Sequence, residues 1–291
     1  MKKFLNLRNS AFSLFLLLNL FSFSAFAQDL EQLSNQIQFG TTEIKRETLS
    51  QIRNYQRAET SRLAIPALKD ANDIIRATAA FSVIYLPKDE AFSALLPNLN
   101  DKSDIVRRET AYALGKIQNS DAVQPLIQVF QKDKLLEVRN AAVVALGEIG
   151  DASAIEFLAK ILTKKPNEEN EFLRRAAARS IGQIAQIIQI KESYTVTPES
   201  FLPERYKLFT LEKYQNLSEK LPQFRNAVQV LIKVLQNSKE SDDAKRETAF
   251  ALGAIGDVSA LSILQKNVVS KDQYLSEIIK ESLKKLSSVN E

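Results

Sequence analysis

The sequence contains no histidine, cysteine or tryptophan, and only one methionine and seven glycines among 291 residues. Without histidine it lacks the commonest general base, the Ser-His-Asp triad and most zinc sites. Without cysteine it lacks thiol nucleophiles, iron–sulfur ligation and disulfides, so an oxidising compartment is permitted but not demanded. A lipoprotein is excluded for the same reason, since no thiol exists to carry the lipid. The few glycines form no phosphate-cradling loop. A large excess of one charge is also missing, for 39 basic residues face 35 acidic ones. Lys2, Lys3 and Arg8 supply three of the basic residues within 1–27, a segment without any acid, and the remainder has 36 against 35. So balanced a remainder gives no general electrostatic reason to expect nucleic acid as a partner.

What is present begins with a leader. Lys2, Lys3 and Arg8 precede an apolar run from Ala11 through Phe23, and Ala25-Phe26-Ala27 follows. These are the three parts of a secretory signal, with cleavage expected after Ala27 and a periplasmic or secreted mature chain of 28–291. The alternative is an uncleaved anchor, because Ala11 to Ala27 spans about 17 residues, near the lower bound for crossing a bilayer. Asn19 and several serines weaken that alternative. With 45% apolar and 25% charged residues, the rest is composed like a soluble globular protein.

The mature chain repeats itself. Ile105-Val106-Arg107-Arg108-Glu109-Thr110-Ala111-Tyr112-Ala113-Leu114-Gly115-Lys116-Ile117 returns as Glu137 to Ile149, Phe172 to Ile184 and Asp243 to Ile255, with weaker copies at Glu43 to Tyr55 and Ile74 to Leu86. Aligned on one basic column, the copies give Lys45, Arg76, Arg107, Arg139, Arg174 and Lys245, in steps of 31, 31, 32, 35 and 71. Apolar residues stand one before and six, seven and ten after that column, as in Val106, Ala113, Leu114 and Ile117. This is a helical stripe and not strand alternation. A shorter apolar pattern, such as Ala122, Leu126, Ile127 and Phe130, lies between copies and predicts a second helix per unit. Gly150-Asp151 and Gly256-Asp257 separate the helices, the glycine closing one in a left-handed conformation and the aspartate capping the next. A pair of short helices cannot bury its apolar face alone, so the units must stack.

These repeats resemble the HEAT-repeat family, particularly its short phycobilisome-lyase-like variant, over nearly all of residues 29–286. The resemblance implies an all-α fold, a right-handed α/α solenoid of about seven helical hairpins, with a roughly 40-residue insertion at about 187–222 and a C-terminal cap at about 270–291. It also implies a ladder, in which an acid six residues before the basic column bonds a basic residue of an adjacent repeat. Asp70, Asp101 and Asp133 stand at that position, with Arg76, Arg107, Arg139 and Arg174 in the basic column. Glu168 replaces the acid once; Lys239 and Phe39 do not fit, so the ladder is expected to break at both ends. The family's first-helix proline is matched by Pro125, whereas Pro66 and Pro97 fall four residues later and predict shortened or kinked helices. HEAT-like deoxyhypusine hydroxylases hold iron with His-Glu pairs, and that likeness fails here for want of histidine. The phycobilisome-lyase likeness is one of fold, because an exported chain would not meet a cytoplasmic chromophore-protein substrate.

Gly115, Gly147, Gly182 and Gly253 occupy one helical column, where each glycine costs about 0.5–1 kcal/mol relative to alanine. Close packing between neighbouring helices is the expected reason. The positions one and five after the basic column predict an exposed strip of Arg46, Arg108, Arg175 and Arg246 with Phe81, Tyr112, Arg179 and Phe250. Such a strip suits an acidic or extended peptide. Alternatively Glu47, Glu109 and Glu247 neutralise it while the aromatics cover neighbouring repeats. The insertion is a second candidate surface. It carries Tyr194, Tyr206 and Tyr214, and Pro203 is expected to open a helix running from Glu204 to Leu221. The reading that follows is a non-catalytic scaffold for a protein or peptide partner, with no cofactor and no metal. Two alternatives stay open, a lyase-like enzyme or accessory gripping a small ligand and a membrane-tethered adaptor.

Overall fold

In the copies at Arg107, Arg139, Arg174 and Lys245 the apolar stripe folds as a helix whose buried face is the predicted one; in the copy at Lys45 the residues Ile44 and Tyr55 are exposed, and the helix of the copy at Arg76 ends at Ser82, ahead of the buried Val83 and Leu86. The structure, a computed structural model, describes residues 28–191 and 214–289. The leader 1–27 and most of the insertion, including Tyr194 and Tyr206, lie outside these residues. In chain order a first helix is followed by a second, seven times: α1 (residues 28–39) by α2 (Thr42–Tyr55), α3 (Ala58–Leu63) by α4 (Asp73–Ser82), and α5 (Lys88–Leu95) by α6 (Asp104–Ile117). Next come α7 (Val123–Lys132) and α8 (Leu136–Ile149), then α9 (Ile155–Leu162) and α10 (Glu171–Lys191). A short α11 (Leu217–Lys220) precedes α12 (Pro222–Gln236) and α13 (Asp242–Ile255), and α14 (Leu261–Asn267) with α15 (Gln273–Val289) completes the series. No strand occurs among the described residues.

The chain forms two compact units, one ending at Ala94 and the other beginning at Leu95. In the first, α2 packs on α4; in the second, α6, α8, α10, α13 and α15 stack in that order, with α9 against α12 and α12 against α14. Val106, Ala113, Leu114 and Ile117, and their counterparts Val138, Ala145, Leu146 and Ile149, are buried between these helices. The glycine column lies where second helices approach most closely. A Cβ at position 115 would stand 2.9 Å from the Cα of Ala145, and one at 253 would stand 2.8 Å from the Cα of Ser282. Packing is therefore the reason for these glycines.

A serine column, not recognised in the sequence, adds polar ties at the same level. The hydroxyl groups of Ser82, Ser180 and Ser282 donate to the carbonyl oxygens of Leu49, Val143 and Ala249 at 2.9, 2.9 and 2.8 Å. Each bond joins a second helix to the one before it, and each replaces water that the buried hydroxyl has lost.

The prolines act as expected. α3 stops at Leu63 and continues as a 3₁₀ turn, Ile65–Lys69, containing Pro66; α5 stops at Leu95 and continues as Leu96–Asn100, containing Pro97. Proline has no N–H to donate and its ring crowds the preceding turn, so the α-helical ladder ends there. Gly150 and Gly256 end α8 and α13 in the left-handed region, at φ 74° and 76°. Asp151 and Asp257 then accept from the amides of Ser153 and Ser259, opening the next first helix.

Two expectations about the insertion need correction. Helix α10 runs on to Lys191, past Ile184 and past the expected start of the insertion. Its extra turns are held by packing, since Ile187 fills the space above Gly150 and Gln189 is buried. The expected continuous helix to Leu221 does not form, because residues 214–216 are not helical; of the described residues in that stretch, only Leu217–Lys220 are helical. Asn216 interrupts it by capping, its side chain accepting from the Ser218 amide at 3.1 Å.

Candidate protein-binding surface

The ladder runs in one direction, from the basic residue of one repeat to the acid of the next. Lys45 Nζ donates to Asp70 Oδ2 at 2.7 Å. Arg107 Nε and Nη2 donate to the two carboxylate oxygens of Asp133 at 2.6 and 3.2 Å, while Nη1 turns back to the Asp101 carbonyl at 2.9 Å. Arg76 turns back in the same way to the carbonyls of Asp70 and Ala71. The acids also order their own loops, accepting from the amides of Asn72 at 2.8 Å and Leu135 at 3.0 Å, and Asp101 does the same for Ser103.

The ladder does not break near Lys239 as expected. Glu240, one residue later, takes the place of the missing aspartate and pairs with Arg174; only 2% and 1% of the two side chains remain exposed. The shift follows from a turn in which the amides of Lys239 and Glu240 both donate to Asn237, which directs the Glu240 side chain inward. Arg174 Nε donates to Glu240 Oε1 at 3.0 Å and Nη2 to Oε2, and Nη1 reaches the carbonyls of Leu162, at 2.7 Å, and Lys164. Arg139 is the second correction. Asp133 is taken by Arg107 and Glu168 is exposed, so Arg139 bonds no carboxylate among the described residues and instead lies 4.6 Å from the ring centroid of Phe130.

Burial alone would raise the Asp70 and Asp133 carboxyl groups, but the hydrogen bonds from Lys45 and Arg107, with those from the loop amides, outweigh it and hold both below the ordinary carboxylate range. A folded-state pKa below the unfolded value gives stability that is present above the unfolded pKa and lost as pH falls through the folded one. Thermal unfolding should therefore show a plateau in Tm above about pH 5 and a decline below about pH 4. Asp133→Asn should lower stability by about 1–2 kcal/mol at pH 7 and make the acid decline shallower; a decline as steep as in the wild type would mean that this rung is not linked to folding.

The strip residues are distributed over both units. Arg46 on α2 is exposed and Phe81 on α4 is half-buried, both within the unit ending at Ala94. In the other unit every strip arginine meets an acid. Arg108 bonds Glu109 at 2.8 and 2.9 Å, Arg175 bonds Asp243 at 2.9 Å, and Arg179 bonds Glu247 at 3.0 Å. Arg246 joins Asp243 at 2.6 Å and, through Nε, Asp272 at 2.8 Å. Tyr112 is half-buried; burial pushes its phenol up, Arg108 opposes this, and Glu109 and Glu148 add to it. Phe250 covers Gly182, and Phe250 and Tyr214 lie 5.8 and 5.6 Å from the buried Lys285 ammonium, which also bonds Glu281 at 2.7 Å.

A column two residues before the basic one was missed in the sequence. Ile74, Ile105, Phe172 and Tyr274 are 45%, 38%, 55% and 69% exposed there. The column has mixed character, with Glu137 and Asp243 among its members, so it carries no periodic signal. In the unit beginning at Leu95 it is joined to the strip. The Arg175 guanidinium lies 5.2 Å from the Phe172 ring and that of Arg246 lies 5.3 Å from the Tyr274 ring, with Asp243 between the two arginines. The result is a band across α10, α13 and α15 with neutralised charges and aromatic faces open to solvent.

The insertion returns to the stack at Tyr214, whose amide donates to Ser288 Oγ at 3.3 Å. Gln189 clasps the next residue from both sides, Nε2 donating to the Gln215 carbonyl at 2.7 Å and Oε1 accepting its amide at 3.1 Å. Among the described residues no group of three or more His, Cys, Asp or Glu side chains is placed to hold a metal, and no helix is long and apolar enough to cross a membrane.

Stacked helical hairpins joined by a basic-to-acid ladder define a helical-repeat protein. The family model for HEAT repeats matches residues 61–143, and the PBS lyase HEAT-like repeat matches 138–164 and 244–270. Over these residues, less than half of the chain, its repeats match the HEAT type. No curated protein sequence matches it. Among solved structures, it is similar to the CpcE–CpcF complex of phycocyanin lyase from Nostoc, with 18% identity, a TM-score of 0.46 and coverage of 88% of this chain and 94% of that one. Human deoxyhypusine hydroxylase in complex with glycerol gives 17%, 0.39, 89% and 96% for the same quantities. A designed armadillo repeat protein gives 17%, 0.45, 88% and 99%.

Proposed function

We propose that the chain is an exported, non-catalytic scaffold that binds a protein or peptide partner through the concave face of its stacked second helices. The observation that carries this reading is the band of Phe172, Arg175, Asp243, Arg246 and Tyr274. Its arginines already have counterions, so they act as flat, polar-edged supports for aromatic contact more than as free charges seeking an acid. Exposed aromatic residues beside well-held arginines are the composition of interface anchors. The non-catalytic part rests on the complete absence of histidine and cysteine from the sequence. Export rests on the leader, and the mature protein from the native host should begin at Gln28.

Site-specific photocrosslinking in that host tests the reading. With p-benzoylphenylalanine at position 172 or 274, both positions should yield adducts to the same protein, and Arg175→Ala with Arg246→Ala should remove them. The same group at exposed Gln265 on α14 should give none. Adducts of equal yield from all three positions, or none from 172 and 274, would overturn the assignment of the surface.

A further inference from the structure

Arg139 is the one member of the basic column in α6, α8 and α10 whose guanidinium makes no hydrogen bond among the described residues. Arg107 and Arg174, before and after it in the stack, each hold a carboxylate with Nε and Nη2 and backbone carbonyls with Nη1. The Nε of Arg139 is sealed from solvent without an acceptor, although the residue as a whole is partly exposed. The guanidinium is nevertheless held in place, over the face of Phe130, whose ring packs nearly perpendicular to that of Phe157 with the centroids 5.0 Å apart.

The acid is missing for a definite reason. The loop from α9 to α10 lengthens the repeat step to 35 residues, and Asn167 and Asn170 bond each other's backbone amides at 2.9 and 3.0 Å. That closed turn leaves Glu168 and Glu169 exposed, with no ion pair to a basic residue among the described residues. A buried donor without an acceptor is a standing loss of stability; that Nε is closed to an incoming group, so the guanidinium fixed on the aromatic face would meet a carboxylate through its two Nη groups, which are not sealed.

The geometry points to Arg139 as a receptor for a carboxylate supplied by the bound protein, an Asp or Glu side chain or a chain terminus that completes the vacant rung. This rests on the scaffold reading above and assigns the partner one acidic group at a defined place. The band across α10, α13 and α15, whose arginines are already paired, makes no such demand.

Fluorescence anisotropy with three labelled peptides tests it. The peptides are Leu-Glu-Leu-Glu-Leu-Glu-Leu with an amidated terminus, its Gln counterpart with an amidated terminus, and that Gln peptide with a free terminus. The Glu peptide, or the free-terminus peptide if the natural group is a terminus, should bind at least tenfold more tightly than the amidated Gln peptide. Arg139→Met should erase that preference while leaving Tm unchanged or raised, since no hydrogen bond is lost in the free protein, the sealed donor is removed and a Met side chain can pack on the Phe130 ring in place of the guanidinium. Lys102→Met, which removes an exposed cation elsewhere, should leave the preference intact. In spectra of the free protein the Arg139 Nε–H should shift on addition of the carboxylate peptide and not of the amidated Gln peptide. Equal affinities for all three peptides, or a preference that survives Arg139→Met, would overturn the proposal. So would a fall in Tm in Arg139→Met that Glu168→Gln with Glu169→Gln reproduces, because the rung would then be closed within the chain. If crosslinking from positions 172 and 274 succeeds while these tests fail, only the rung assignment falls and the scaffold stands.

Discussion

Replacing Glu240 with alanine is expected to destabilise the protein by about 3–5 kcal/mol, more than any other single ladder substitution. The Arg174 guanidinium is 2% exposed and would remain buried with its positive charge and only the carbonyls of Leu162 and Lys164 as acceptors. The loss comes from that stranded charge more than from the attraction that the pair once supplied, because desolvating both ions has already offset much of the attraction. The pair also joins positions 66 residues apart, fastening α10 to the loop before α13 around the insertion. Arg174→Met combined with Glu240→Leu removes both charges and should be much less harmful than Glu240→Ala alone. Urea denaturation measures this as a fall in midpoint at constant slope. A loss below about 1 kcal/mol for Glu240→Ala would show that the side chain is solvated in the folded protein.

The repeat was legible in the sequence because burial is periodic. Positions such as Val106 and Leu114 can lie nowhere but in the stack, and the glycine column requires a neighbour too close for a side chain. Prolines 66 and 97 were legible for an equally local reason, since a proline placed beyond the first turn of a helix ends the α-helical ladder there. The direction of the ladder was not legible. Asp133 stands six residues before Arg139 and 26 after Arg107, and spacing alone does not say which of them it answers; only the packed structure shows that it answers Arg107 while Arg139 is left without an acid among the described residues. Glu240 was missed through a shift of one residue, which a capped turn at Asn237 produces and which no apolar period records. Phe172 and Tyr274 were missed because their column mixes large apolar residues with acids such as Glu137 and Asp243, and a column of mixed character carries no periodic signal. Of the candidate strip, the arginines are where the helical period puts them, and Glu109 and Glu247 were legible as the acids that neutralise it; the contacts of Arg175 with Asp243 and of Arg246 with Asp272 were visible only once α10, α13 and α15 stood side by side.

Gly253→Ala should lower stability by about 1–3 kcal/mol, opposite in sign to what helix propensity alone would give. In an open helix the change gains about 0.5–1 kcal/mol, because alanine has less backbone freedom to lose on folding. In α13 the added Cβ would lie 2.5 Å from Oγ, 2.6 Å from Cβ and 2.8 Å from Cα of Ser282 on α15. Rotating the serine removes at most the first contact, and it sacrifices the 2.8 Å bond from its buried hydroxyl to the Ala249 carbonyl. The contact with Cα has no such escape, so α13 and α15 must move apart and loosen the packing of Leu252, Ile279 and Leu286 between them. Gly182→Ala provides the comparison. There the Cβ would meet the half-buried Phe250 ring at 2.5 and 2.6 Å and the Ala251 Cα at 3.1 Å, a softer obstacle because the ring can swing aside. Its loss should be the smaller of the two, and Gly253→Ala with Ser282→Ala should recover only part of the deficit, since Cβ and Cα of residue 282 remain. Denaturant midpoints for the three variants decide the matter; a Gly253→Ala protein as stable as wild type would mean that the last two second helices are not in close contact.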